Sequence, residues 1–180
     1  WNGEEQILFR ILEELIAESL QLRLLVVPRH MERREAIKSQ ISSQNISFHF
    51  HSEGKAKKPV QACIGDTTGE LATFLQISDI VFIGRSLPPH TGGQTPIEAG
   101  MLGKPILFGP SMSNFRDIAN SLLTYNVAKR IDDESSLKNA IRELYLRKDL
   151  RRERGANARQ WLKVNQGATK RTLKTLESII

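Results

Sequence analysis

The segment Thr91-Gly92-Gly93-Gln94-Thr95-Pro96-Ile97-Glu98-Ala99 sets paired glycines ahead of a cap-type residue, a proline and a helix-compatible run. Glycines let a backbone approach a ligand closely, proline suits a first helical position, and the open amides of a helix start favour an anion such as phosphate. Glu98, one turn further on, is placed to accept hydrogen bonds from a ribose diol. The same pattern also fits a plain loop leading into a capped helix. Gly65-Asp66-Thr67-Thr68-Gly69-Glu70-Leu71 repeats the order of glycine, hydroxyl and helix. Its Asp66 or Thr67 reads as an N-cap as readily as a ligand contact. Pro28-Arg29-His30, with Arg33 and Arg34 a turn later, offers a guanidinium and an imidazole that could hold a phosphate or a carboxylate.

Other reactive residue types carry less. His49 and His51 alternate and would face one side of a strand, yet no third ligand stands at useful spacing, and there is no Asp-x-Asp element to hold a divalent metal on a nucleotide. No metal or cofactor is expected. His90 sits alone in a long loop, Cys63 ends an apolar strand and reads as core, and Trp161 reads as a packing residue on a late helix.

These segments need a frame. Ile7, Leu8, Ile11, Leu12, Leu15 and Ile16 recur at helical spacing within Glu4 to Leu20, followed by an apolar run from Leu22 to Val27. The alternation continues with a helix over 32–43 and strands over 46–50 and 60–64. A helix over 70–77, a strand over 80–83, a helix over 96–102 and a strand over 105–108 come next. A helix over 115–125, a last strand near 127–131 and helices from Glu134 onward complete it. Near-continuous apolar strands separated by helices predict an α/β fold, a doubly wound parallel sheet of Rossmann type with extra C-terminal helices. Ligands of such sheets sit beyond the carboxyl ends of the strands. The loops expected there are the Gly-, Pro- and hydroxyl-rich ones singled out above. The opening Trp1-Asn2-Gly3-Glu4-Glu5 leads straight into a helix, as though a preceding strand lay upstream; residues 1–180 are read as one C-terminal domain of a longer protein.

Composition bounds the rest. The chain has 180 residues, 39% of them hydrophobic, and a single cysteine. That suits one globular domain without an internal disulfide, expected to be soluble in a reducing, cytoplasmic compartment. No apolar stretch approaches the roughly 18 residues of a membrane span. A net charge of +6 and a pI near 9.7 favour an anionic partner. The basic residues crowd into Lys55-Ala56-Lys57-Lys58 and the run Arg147 to Arg154, each of which suits a solvated surface or a binding patch. A nucleic-acid-binding module would use such charge, but aromatics are only 6% and no reader motif is present, so no nucleic acid is expected.

Taken in order, Gly3-Glu4-Glu5, Pro28-Arg29-His30 with Glu32-Arg33, Gly65 to Leu71, Ser78-Asp79-Ile80-Val81-Phe82-Ile83-Gly84, Gly92 to Ala99 and Gly103 to Pro110 through Asn114-Phe115 resemble the C-terminal domain of the Kdo transferases. These are GT-B glycosyltransferases with two facing Rossmann-like domains. The resemblance implies a CMP-Kdo donor and transfer of Kdo, with inversion and without a metal, to a lipid A precursor (lipid IVA) in lipopolysaccharide biosynthesis. It also implies an N-terminal domain that binds the acceptor, supplies the carboxylate base and anchors the protein to the cytoplasmic face of the bacterial inner membrane. This piece alone would then be inactive. Another GT-B enzyme, a UDP-sugar transferase or an epimerase, is the neighbouring alternative. Carried over by residue, Arg29, His30, Asp66, Thr67, Thr68, Gly69 and Glu70 become donor-cleft residues. Gly92, Gly93, Gln94 and Thr95 would present amides to the CMP phosphate, and Glu98 would hold the ribose. Two positions depart from the family: Thr95 stands where asparagine is usual, and Arg85 where glycine is common.

Overall fold

The computed structural model describes residues 1–177; for 168–171 and 174 only the backbone is considered. Helices and strands alternate from the start: α1 (Glu4–Ala17), β1 (Leu24–Val26), α2 (Arg34–Ser42), β2 (Phe48–Phe50), β3 (Ala62–Ile64), α3 (Leu71–Ile77) and β4 (Val81–Ile83). They continue with α4 (Ile97–Met101), β5 (Ile106–Phe108), α5 (Arg116–Thr124), β6 (Ala128–Arg130), α6 (Glu134–Leu146), α7 (Lys148–Asn165) and α8 (Ala168–Glu177). Short 3-10 turns precede α2 at Met31–Arg33, follow β2 at His51–Glu53 and precede α5 at Ser113–Phe115.

All strand pairs are parallel, but the ladder divides where a single sheet is expected from the sequence. One sheet has the order β1-β3-β2, the other β4-β5-β6. Leu25 pairs with Cys63 and Cys63 with His49 in the first; Phe82 pairs with Leu107 and Leu107 with Lys129 in the second. The ladders are also shorter than the apolar runs, because flanking residues give only single bonds, such as Gly65 N–H to the Val26 carbonyl at 2.8 Å and Ile131 N–H to the Phe108 carbonyl at 3.0 Å. His51 falls in a 3-10 turn beyond β2, so the expected alternation of His49 and His51 along one strand does not hold. Helix α1 ends three residues before the expected Leu20. Ser19 takes φ 68°, and Leu20 N–H turns back to the Leu15 carbonyl at 3.1 Å, which closes the last turn.

The period of two decides which helices cover which face. Along the second sheet, Val81, Ile83, Ile106 and Phe108 pack with α5 and α7 through Leu122, Ala158 and Trp161. The intervening Phe82 and Leu107 pack instead with α1 and α6 through Ile11, Leu15, Leu137 and Leu144. That sheet is covered on both sides, as its continuous apolar runs require. In the first sheet Val26, Ala62, Ile64 and Phe50 pack with α1 and α2 through Phe9, Leu12, Ile37 and Ile41. The opposite face, carrying Leu25, Cys63 and His49, is only half-buried.

Helix α1 therefore joins the two sheets. Phe9 and Leu12 enter one core, Ile11 and Leu15 another, and each buried side chain contributes about 1.5–3 kcal/mol. Arg10 to Glu134, Lys138 to Glu14 and Arg142 to Glu18 tie its outer side to α6, though exposed pairs of this kind add little.

Candidate functional site: loops at the carboxyl edge

In a parallel array every loop that follows a strand lies at one edge, and here those loops bring most of the expected residues together. After β1, Arg29 and His30 are exposed; His30 Nδ1 lies 3.4 Å from Glu32, and its ring lies beside Trp1. The next two cations behave differently. The Arg33 guanidinium donates to both oxygens of Glu5, at 2.5 and 3.3 Å. Burial works against ionising Glu5, whereas the hydrogen bonds from Arg33 favour its charged form.

Arg34 stacks over the Phe50 ring at 3.8 Å and donates to Asp66, to Ser52 Oγ at 2.8 Å and to Glu53 at 2.5 Å. Asp66 in turn accepts from Ser52 N–H at 2.9 Å and Ser52 Oγ at 2.7 Å. Its side chain is only 5% exposed. Burial raises the cost of its charge, yet the Ser52 bonds and Arg34 more than compensate and keep its pKa below the ordinary value. Asp66 thus clamps the turn after β2 and does not cap α3. Cys63, nearby, has its thiol pushed up by burial and by the Asp66 charge, which keeps it protonated and un-nucleophilic at neutral pH.

Thr67 donates to the Glu70 carboxylate, which lies 3.5 Å from His51 Nε2, while Thr68 and Gly69 are exposed at the turn. The same spacing recurs at the entry to α4. Thr95 Oγ donates to Glu98 Oε2 at 3.1 Å and accepts from Ile97 N–H at 3.3 Å. Pro96 occupies the cap position rather than the first helical one. In both Thr-x-x-Glu pairs the hydroxyl fixes the carboxylate and leaves its second oxygen able to accept.

The glycine pair is a packing device. Gly92 and Gly93 take φ of 102° and 71°, and a Cβ on them would meet Asn114 Nδ2 at 2.6 Å and Met112 Sδ at 2.4 Å. The loop after β5 fills the space that side chains would occupy. The Gly92 N–H donates to Ser111 Oγ at 3.1 Å, that of Gly93 to the Arg85 carbonyl at 2.9 Å and that of Gln94 to the Gly84 carbonyl at 3.1 Å. Of the four amides expected to face a phosphate, only that of Thr95 has no acceptor among the described residues.

Beneath this shelf lies a feature missed in the sequence. Glu4, 3% exposed, accepts from the N–H groups of Arg85, Ser86 and Leu87 at 2.6, 3.0 and 3.0 Å. Three successive amides form a concave nest, and the first turn of α1 delivers a carboxylate into it. Arg85 takes φ 61°, the left-handed region, which a glycine would adopt without strain. Fully buried Ser86 completes the joint: its Oγ donates to the Ile83 carbonyl at 2.6 Å and accepts from Gly109 N–H at 2.8 Å. An acidic pair opening a helix ordinarily reads as solvent-facing dipole complement, so only the adjacency of Glu4 and Glu5 could have hinted at this role. Among the described residues no group of three or more His, Cys, Asp and Glu is placed to hold a metal ion. Nor is any described helix long and apolar enough to cross a membrane.

No family model matches the chain. It is 31% identical to the 3-deoxy-D-manno-octulosonic acid transferase of Haemophilus influenzae, over 98% of this chain and 42% of that protein. To the transferase of the same name from Bordetella pertussis it is 30% identical, over 86% of this chain and 36% of that one. The chain thus spans about two fifths of the curated relatives it matches. Among solved structures it is similar to the C-terminal CMP-Kdo binding domain of WaaA from Acinetobacter baumannii, with TM-score 0.84 and 26% identity over 90% of this chain and 84% of that one.

Proposed function

We propose that this chain, a homologue of the 3-deoxy-D-manno-octulosonic acid transferases, is the donor-binding C-terminal domain of such an enzyme and holds CMP-Kdo at its carboxyl edge. The observation that carries the reading is the Thr95–Glu98 pair, at 3.1 Å, beside the tightly packed Gly92-Gly93 turn. It orients one carboxylate oxygen for a ribose diol and sets the unpartnered Thr95 amide beside it for a phosphate oxygen. Gly92, Gly93 and Gln94 then shape the shelf through their internal bonds, Arg29 and His30 bring exposed donors from the loop after β1, and Thr67 to Glu70 line the cleft. Asp66 acts through Arg34 and Ser52 as a positioning residue.

Transfer of a sugar from a nucleotide needs a base for the acceptor hydroxyl and stabilisation of the departing phosphate. This domain supplies the second. The acceptor, a lipid A precursor, the base, and attachment to the cytoplasmic face of the inner membrane belong in this reading to an N-terminal domain. Turnover therefore requires both.

Titration with CMP, UMP and AMP, followed by amide chemical shifts, tests the assignment. CMP should bind best and shift the Gly92 to Glu98 amides, and Glu98→Ala should weaken it about tenfold, the worth of one charge-assisted hydrogen bond. Failure of CMP to shift these amides in the full-length enzyme would overturn the reading.

A further inference from the structure

We infer that the amino edge of the second sheet, opposite the glycine loops, carries a binding site for a phosphate or phosphoester group. The turns leading into β4 and β5 meet α7 between Lys148 and Arg159 around a concavity of about 290 Å³. Lys104, Lys148, Arg151, Arg152 and Arg159 line it, against Asp79 as the single carboxylate. On α7, residues 148, 152, 155 and 159 recur at steps of three and four, so these cations share one helix face with a glycine at its centre.

Three observations make this more than a solvated basic helix. First, none of the five cations forms an ion pair among the described residues, whereas Arg10, Arg33, Arg34, Lys138 and Arg142 are each paired with a carboxylate. Second, the heads that are fixed are fixed by neutral acceptors. Arg151 donates to the carbonyls of Leu144 and Tyr145, and Lys104 Nζ to the Gln76 carbonyl at 2.8 Å, which orients charge without cancelling it. Third, the floor is built by backbone contact. Gly103 takes φ 70°, and a Cβ on Gly155 would lie 2.9 Å from the Gly103 carbonyl oxygen, so α7 sits directly on the turn before β5.

Like charges at this spacing repel, and the cost is relieved when an anion enters. A phosphate dianion matches the arrangement because guanidinium forks donate in pairs to its oxygens. The volume accommodates the phosphate and part of its ester substituent.

The test uses inorganic pyrophosphate as the probe and follows the amides of Gly103, Lys104 and Gly155 in the 180-residue chain. Saturable shifts are expected there. They should weaken at least about tenfold in an Arg152→Ala/Arg159→Ala variant and be unchanged in Lys57→Ala/Lys58→Ala, which removes equal charge from a loop elsewhere. Both pairs lie on exposed side chains, and circular dichroism checks the fold. A second arm floats the chain with phosphatidylcholine vesicles that contain or lack phosphatidylglycerol. Flotation that needs the anionic lipid and is lost only in the first variant assigns a lipid headgroup as the source; saturable pyrophosphate binding without flotation assigns a soluble phosphoester. Absence of saturable shifts at these amides, or equal losses in the two variants in either arm, would overturn the site.

Discussion

The two sheets end at the same edge, yet their loops are held by different physics. Beyond β1, β2 and β3 the fixing groups are charged side chains: Arg33 on Glu5, and Arg34 spanning Asp66, Ser52 and Glu53. Beyond β4 and β5 they are backbone amides, buried hydroxyls and glycine contacts, centred on Ser86, Gly109 and the carboxylate of Glu4. The first arrangement tolerates small shifts, since long side chains adjust. The second has less slack, because main chain forms at least one side of each contact. A ligand edge assembled this way has one compliant wall and one rigid wall: Arg29, His30 and Thr67 to Glu70 stand on the first, and Thr95 and Glu98, proposed to hold the phosphate and the ribose, on the second.

Substitution can break that comparison. The largest effect is expected at Gly109, where a Cβ would lie 2.2 Å from the Ser86 carbonyl oxygen. Gly109→Ala should lose about 3 kcal/mol or more by urea unfolding. Gly65→Ala on the other wall meets only the Phe74 ring, at 2.7 Å, and should cost clearly less because a ring can turn aside. Equal costs would refute the rigid-wall description.

Glu4→Ala comes next. It leaves the N–H groups of Arg85, Ser86 and Leu87 without their acceptor and should destabilise by about 2–3 kcal/mol, with little dependence on salt, since the site is buried.

Asp66→Asn should cost about 2 kcal/mol at neutral pH. Its signature is the pH dependence. The folded carboxyl titrates below its unfolded value of about 3.9, so its stabilisation is complete above that value and is lost as pH falls through the lowered folded value. Unfolding midpoints from pH 7 down to 3 should therefore fall more steeply for the parent chain than for the variant. Parallel curves would remove Asp66 from the compliant wall.

Smallest and opposite in sign, Arg85→Gly should relieve the left-handed φ of 61° and gain about 0.5 kcal/mol after the added entropy of the unfolded glycine, measurable as a rise in Tm.

Most of the frame was legible because its signals are local. Apolar runs such as Ile106 to Phe108, fully buried, can only be interior strand, and the loops after them had to share an edge. Charge networks were less legible. Arg33 and Arg34 suggested anion binding, and they do bind carboxylates, but Glu5 and Asp66 lie 28 and 32 residues away in the chain, and nothing local pairs them. The amides of Gly92 to Gln94 suggested ligand contacts for a related reason: a sequence gives a glycine's freedom but not which neighbour closes over it. The division of the ladder was invisible too, since each strand carries the same apolar pattern whether or not its edge is paired.

Helix α1 has a consequence for how the chain could be taken apart. No ladder crosses between the sheets, and α1 reaches the second one through Ile11, Leu15 and the buried Glu4 carboxylate. Cut in the segment between α3 and β4, the molecule becomes two fragments that recognise each other chiefly through α1, with α3 adding Leu75 and the Gln76 carbonyl. Such a pair is suited to fragment complementation, with Glu4 serving as the key that reports correct reassembly.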